Sequence, residues 1–357
     1  MRCADFYVFV ESKEKYKSAF QGIKCDVSIP DKLHIVFLPF NQKYKFTMTQ
    51  FTFSQVASLW KADKRQYVKP SSYAAYLQHL NKHILPHFGD CERITEEEIQ
   101  GFANRQLAHG LALKTVKDSI LILKMIHRYG ERMGVWPHLD FRIHYPTSAQ
   151  EPKALPVLSV SQQQRLIRYL KDHFSFRNLG LLICLHSGLR IGEICGLQWK
   201  DLDVTAGVIH VRKTVSRIWI CDENERSYIL SIGSPKTSAS VRDIPITKSL
   251  TEIIRPLRKV VNPEFYVISN EAEPLEPRYY REYYSKVLDK LGIPPVRFHA
   301  LRHSFATRCI ESKCDYKTVS AILGHASIST TLDLYVHPDY TEKKKCIDRM
   351  ARALNGA

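Results

Sequence analysis

Apolar and polar positions along the chain change texture three times. Over residues 1–50, short apolar runs such as Phe6 to Val10 and Leu33 to Leu38 alternate with polar breaks, which predicts a few strands. From Thr52 the spacing becomes helical: Val56, Leu59 and Trp60; Tyr76, Leu77 and Leu80; Ile99 and Phe102; then Val116, Ile120, Leu121, Leu123, Met125 and Ile126. Thr52-Phe-Ser-Gln55 and Thr95-Glu-Glu-Glu98 fit the capping box, in which a hydroxyl caps the helix and the third residue on reaches back. A helical domain over 51–140 is the result. Pro146, Pro152 and Pro156, following Pro137, punctuate a stretch without apolar period and predict an interdomain linker over 141–157.

A second domain then runs over 158–357. Ser159-Val-Ser-Gln162 is another capping box, opening a helix through Leu166, Ile167 and Leu170. An apolar helix from Leu179 to His186 ends at Gly188. Val208 to Ile218 and Tyr228 to Ile246 look strand-like, with Lys236 in a turn between strands. Helices return from Leu250, break at Pro294-Pro295, and close with an amphipathic segment aligning Ile347, Met350 and Leu354. The predicted class is mostly α with a small antiparallel sheet (α+β), preceded by a short β-rich segment.

Composition narrows the function. At 357 residues and 44% hydrophobic, the chain has material for two cores and does not read as disordered. Fifty-two lysines and arginines against 36 acids leave a formal charge of +16, which favours a polyanionic partner, nucleic acid before membrane. The bland alternative is a surface kept soluble by lysine. Nine cysteines include no C-x-x-C pair, and Cys309 and Cys314 have no second pair with which to build a zinc site, so reduced thiols in a cytoplasmic protein are expected. The start lacks a signal-peptide pattern, and Leu33 to Phe40 is too short to span a bilayer.

The candidate chemistry sits in Gly188-Leu-Arg190-Ile-Gly-Glu193, His299-Ala-Leu-Arg302-His303, Leu323-Gly-His325 and Leu334-Tyr335-Val-His337. Arginines neutralise phosphate, histidines hold or move protons, and a tyrosine supplies an oxygen nucleophile. Any one of these residues alone reads better as a surface pair or a packed ring. On a helix, His299 and Arg302 share a face, and Arg190 comes from a turn exposing a helix start, which itself suits an anion. His299 and His303 have zinc-helix spacing, but Ala300 stands where the glutamate of H-E-x-x-H belongs and Arg302 would set a cation beside the metal. His303 therefore reads as structural, and no metal is expected.

Over residues 52 to 345 the chain resembles the tyrosine recombinases, or phage integrases. The resemblance rests on Arg190, Lys236 in Ser-Pro-Lys-Thr, His299-Ala-Leu-Arg302, His325 and Tyr335, and it implies a helical core-binding domain and a catalytic domain clamped around double-stranded DNA at core recombination sites. It further implies that Tyr335 attacks the scissile phosphorus to give a 3′-phosphotyrosine, with Arg190 and Arg302 on the non-bridging oxygens. Lys236 would protonate the leaving 5′ oxygen, although Lys213 and Lys248 lie near the same sheet. His299 would take the tyrosine proton or hold a phosphate oxygen, His325 would donate to the phosphate, and Glu193 would orient its neighbours. Tyr340 is the competing nucleophile. The phosphotyrosine conserves the cleaved bond's energy, so neither ATP nor any other cofactor is needed. A homotetramer in the synaptic complex and accessory DNA-bending or excision factors are the implied partners. The leading member is an integrase of a phage or conjugative element, with residues 1–50 as an arm-binding module or a structural cap. A chromosomal dimer resolvase, a type IB topoisomerase-like enzyme and a non-catalytic DNA-binding relative are the alternatives.

Overall fold

The computed structural model describes residues 51–146, 156–221, 226–235, 237–335 and 340–354; the strands expected in residues 1–50 and the turn residue Lys236 lie outside them. Three capping boxes start three helices: Thr52 caps α1 (Phe53–Arg65), Thr95 caps α4 (Glu96–Ala108) and Ser159 caps α6 (Val160–Asp172), each with both reciprocal hydrogen bonds present. Between α1 and α4 lies α2 (Pro70–His79), whose proline takes the position where a missing N–H costs nothing. A π-helical stretch, Leu80–Ile84, joins α2 to the short α3 (Leu85–Phe88).

Helix α5 (Leu113–Arg132) buries Val116, Ile120, Leu123 and Ile126 at spacings of three and four, against Phe53, Trp60 and Phe102. Leu121, counted with that stripe from the sequence, turns outward and is 58% exposed. The proline-bearing stretch after α5 is not all spacer. Trp136 stacks on Phe53 at 5.8 Å and donates its indole N–H to Phe51 O, and Phe141 is buried in the same core. Arg142 and His144 hang their backbone amides on Glu96 and Gln100.

The second core is built around α7 (Phe176–Ser187), whose residues Leu179 to Leu185 are all buried. Gly188 ends α7 with φ +66°, the left-handed conformation that closes a helix. Helix α8 (Ile191–Cys195) follows at once. Strands β1 (Leu202–Asp203), β2 (Val208–Val211) and β5 (Arg242–Pro245) form an antiparallel sheet in that order. β3 (Thr214–Cys221) and β4 (Arg226–Gly233) form a separate antiparallel hairpin, with Thr214 opposite Gly233. So Lys236 falls just past β4, on the way to β5.

Helices α9 (Lys248–Leu257), α10 (Pro277–Lys290), α11 (His299–Glu311), α12 (Tyr316–Leu323) and α13 (Ile328–Tyr335) complete the domain. Leu301 joins the main core from α11, while Ala306, Val319, Leu323 and Tyr335 form a small core of their own. The last helix, α14 (Tyr340–Leu354), leaves Ile347, Met350 and Leu354 62%, 53% and 77% exposed. Its apolar stripe therefore has no cover among the described residues. None of the described helices is long and apolar enough to cross a membrane.

Candidate active site

Arg190 is the N-cap of α8, two residues beyond the Gly188 stop of α7. Helix-start N–H groups lack partners of their own, and here a carboxylate supplies one: Glu193 Oε2 accepts from the Arg190 backbone N–H at 2.9 Å. Its Oε1 accepts from Arg190 Nη1 at 2.8 Å. One N–H of the helix start expected from the sequence to receive an anion is thus already taken by Glu193. What Arg190 offers a phosphate is its side chain, 34% exposed.

Arg242, which the sequence reading passed over, grips Glu193 from the other side. From β5 its Nη1 and Nη2 meet the two carboxylate oxygens at 3.0 and 2.9 Å, with both side chains nearly dry. Its Nε donates to Ile322 O at 2.5 Å, while Arg190 Nη2 donates to Gly324 O at 3.0 Å. Both acceptors are carbonyls at the C-terminal end of α12, where a helix is electron-rich and its carbonyls lack partners. Gly324 closes that end at φ +66°, and a Cβ there would sit 2.9 Å from Ala239 O and 3.0 Å from Arg242 Cδ. The signal for Arg242 was in the chain, since it alternates with Ile244 on the inward face of a short strand. Its partner, however, lies 49 positions upstream, beyond any local pattern.

Burial alone would raise the Glu193 carboxyl, but Arg242 and Arg190 hold it below its ordinary range. We expect Arg242→Met to destabilise the fold by about 3–5 kcal/mol, because it strands a buried carboxylate. The double change with Glu193→Gln should recover part of that loss. Urea unfolding midpoints of the two variants check the expectation.

Arg302, on α11, is 1% exposed and donates from Nη1 to Gly188 O at 2.9 Å. Its Nη2 is buried with no hydrogen-bond partner among the described residues. A buried guanidinium donor without an acceptor is costly, and burial together with the nearby Arg190 pulls Arg302 down to about 9, still cationic at neutral pH. The two arginines are stitched to one three-residue turn, Gly188-Leu-Arg190. With Arg242 they set three guanidinium groups against one carboxylate, a site with surplus positive charge.

His299 opens α11, with part of its ring in solvent. His325 is fixed by Thr331, whose Oγ1 lies 2.8 Å from Nδ1. Burial lowers both histidines to about 4, and Arg302 and Arg190 push the same way. Tyr335 lies one turn after Thr331, so the same face of α13 that holds His325 presents the phenol. Tyr335 is 8% exposed, and its Oη lies 2.7 Å from His303 Nδ1. Burial raises the phenol's pKa, with Arg302 and Arg190 opposing. Arg190, Glu193, His299, Arg302, His325 and Tyr335 therefore gather in one neighbourhood. Lys236 lies outside the described residues, while Lys213, just before β3, spends its ammonium on Gln198 Oε1 at 2.6 Å. Tyr340 is 81% exposed.

A cleft of about 660 Å³ runs from this cluster to the helical domain, with Arg190, Gly324, His325 and Thr214 on one side and Lys69 and Ser71 on the other. Lys69 Nζ reaches Pro235 O at 3.4 Å across it.

The two histidines give the fold a pH dependence. Their ordinary pKa is 6.5; His325, part-buried, is lowered to about 4, and the exposed His299 is lowered in the same direction with solvent weakening its share, so between those limits the unfolded chain binds more protons. Their contribution is complete above pH 6.5 and should fade as pH falls towards 4. Melting temperatures across that window should drop less steeply for the His299→Asn, His325→Asn double variant.

The phage integrase family model matches residues 156–342, and the N-terminal SAM-like domain of phage integrases matches residues 52–107. Among curated proteins, the chain is 28% identical to a tyrosine recombinase XerC-like protein of Caldanaerobacter subterraneus subsp. tengcongensis, over 79% of this chain and 78% of the relative. It is 25% identical to the ICEBs1 integrase of Bacillus subtilis, over 84% and 82%. Among solved structures, the fold is similar to the Tn1549 transposon integrase in complex with transposon right end DNA, with TM-score 0.68, 21% identity and coverage of 84% and 100%. It is also similar to a lambda integrase tetramer bound to a Holliday junction, with TM-score 0.57, 17% identity and coverage of 82% and 80%.

Proposed function

This chain belongs to the phage integrase family, and from that premise we propose that it is the integrase of a phage or conjugative element, exchanging DNA strands at specific core sites through a covalent phosphotyrosine. The observation that carries the proposal is the Tyr335 hydroxyl buried in one cluster with Arg190 and with Arg302, whose Nη2 has no partner among the described residues. A scissile phosphate supplies the acceptor that this donor lacks. Planar guanidinium forks on the non-bridging oxygens favour the five-coordinate transition state, whose charge they meet already positioned.

In this reading residues 51–140 hold one face of the core site and residues 158–357 carry the chemistry. Tyr335 attacks phosphorus, Lys236 protonates the departing 5′ oxygen, and His325, held by Thr331, donates to the phosphate. His299 holds a phosphate oxygen at the mouth of the site. Glu193, clamped between Arg190 and Arg242, fixes the first arginine. The net charge of +16 supplies the non-specific attraction, so affinity should fall steeply with salt as counterions are released. The uncovered stripe of Ile347, Met350 and Leu354 suits a neighbouring protomer in a tetramer on DNA, the assembly in which the lambda integrase relative is described. Residues 1–50 are left for accessory DNA or for a cap.

A chromosomal resolvase is the second reading, favoured by the XerC-like relative. Covalent capture separates the two. Protein mixed with sheared genomic DNA and quenched in detergent should retain fragments from junctions flanking its own gene. Recovery of one chromosomal site unlinked to the gene favours the resolvase, and recovery of no covalent DNA leaves a binding protein. Chelator should not change the yield.

A further inference from the structure

The hydroxyl of Tyr335 has one hydrogen-bond partner among the described residues, and it is neither an arginine nor His299. It is His303, four residues along α11 from His299, with Nδ1 2.7 Å from Oη and ring centroids 5.6 Å apart. Both side chains are 8% exposed. A buried phenol needs an acceptor for its proton, and Nδ1 is the acceptor on offer. A neutral imidazole accepts at one nitrogen and carries its proton on the other, and in the tautomer protonated at Nε2 it is Nδ1 whose lone pair faces the O–H. The charged and titratable groups around this imidazole are His299, whose ring meets it edge-on at 4.6 Å, Arg302 and Tyr335 itself. Burial and Arg302 keep His303 below its ordinary pKa, hence neutral and able to accept at pH 7.

We infer that His303 is the proton acceptor for Tyr335 in strand cleavage. The inference rests on the proposed function and assigns a catalytic residue within it. As the phenolic oxygen bonds to phosphorus, its proton passes to His303 Nδ1. The bond from phosphorus to the 5′ oxygen breaks, and that oxygen leaves with a proton from a separate donor, Lys236 in the account above. In rejoining, the 5′ hydroxyl returns its proton to that same donor as its oxygen attacks phosphorus, the bond to Tyr335 breaks, and His303 returns the other proton to the departing phenolate. Arg190 and Arg302 ease both directions by favouring the anionic oxygen.

The test uses a duplex nicked beside the cleavage point mapped by covalent capture, so that the cleaved fragment diffuses away and adduct accumulates. His303→Asn keeps an acceptor near the position of Nδ1 but is not a base, whereas His303→Ala keeps neither. Both should bind the duplex like wild type and form adduct about 10²–10⁴-fold more slowly at pH 7, the usual range for losing a positioned acid or base. The wild-type rate should level off once His303 is neutral, while the variants' rates should keep climbing with pH as free phenolate forms. A duplex with sulfur replacing the bridging 5′ oxygen needs no proton on its leaving group. It should rescue a variant at the acid position but neither variant at His303. Wild-type cleavage by His303→Asn would reduce the residue to a hydrogen-bonded prop, and wild-type or faster cleavage by His303→Ala would make it a clasp that parks the tyrosine. Either result overturns the inference and leaves the function standing. Adduct formed by Tyr335→Phe would instead remove the function's own premise.

Discussion

Tyr335→Phe should bind core DNA as tightly as the parent chain and form no covalent adduct with it. The substitution removes one oxygen and keeps the ring that packs with Ala306, Val319 and Leu323. The lost hydrogen bond to His303 should cost about 0.5–1.5 kcal/mol of stability, too little to unfold a domain with so extensive a core. None of the arginines contributing to the cleft is touched. The effect on cleavage should be all-or-none because the next tyrosine in the chain, Tyr340, is 81% exposed, outside the guanidinium cluster. Tyr340→Phe should accordingly cleave at the parent rate. Detergent gels with labelled duplex, read beside gel-shift affinities, measure both quantities.

Arg302→Ala should lower the cleavage rate by a factor of about 10²–10³ or more, from the roughly 2.7–4 kcal/mol that one preorganised oxyanion donor contributes. Three features place it at the high end. The group is charged, it is 1% exposed, and among the described residues its Nη2 has no partner to give up when a phosphate arrives. Arg302→Lys should recover little, because an ammonium restores the charge without the planar fork that reaches two oxygens. Ground-state affinity should change much less than rate, since most binding energy comes from phosphates along the whole site. Single-turnover cleavage with saturating enzyme separates the two effects.

Local chemistry explains what could be read from the chain. The three capping boxes span four residues each and formed as spelled. Gly188 stopped α7 because it alone among those residues takes φ +66° without strain. His299 and Arg302 share a face because three residues make most of a helical turn. Other features depended on partners far away in sequence. Trp136 and Phe141 sit among prolines, and only the groove beside Phe53 turns that stretch into core. Glu193 caps a helix, pairs with Arg190 and neutralises Arg242 at once, three duties that a motif cannot spell. His303 looked structural for want of a visible partner, and the partner proved to be Tyr335, 32 residues on. Thr331 likewise acquired its role through His325, from a position that reads as an ordinary polar residue near a helix start.

The most direct measurement is the identity of the residue that carries DNA after cleavage. Adduct trapped on the nicked duplex, digested with nuclease and protease and sequenced by mass spectrometry, should yield a single peptide with a nucleotide 3′-phosphate esterified to Tyr335. The same phosphate on Tyr340, or on a serine or histidine of the cluster, would contradict the account.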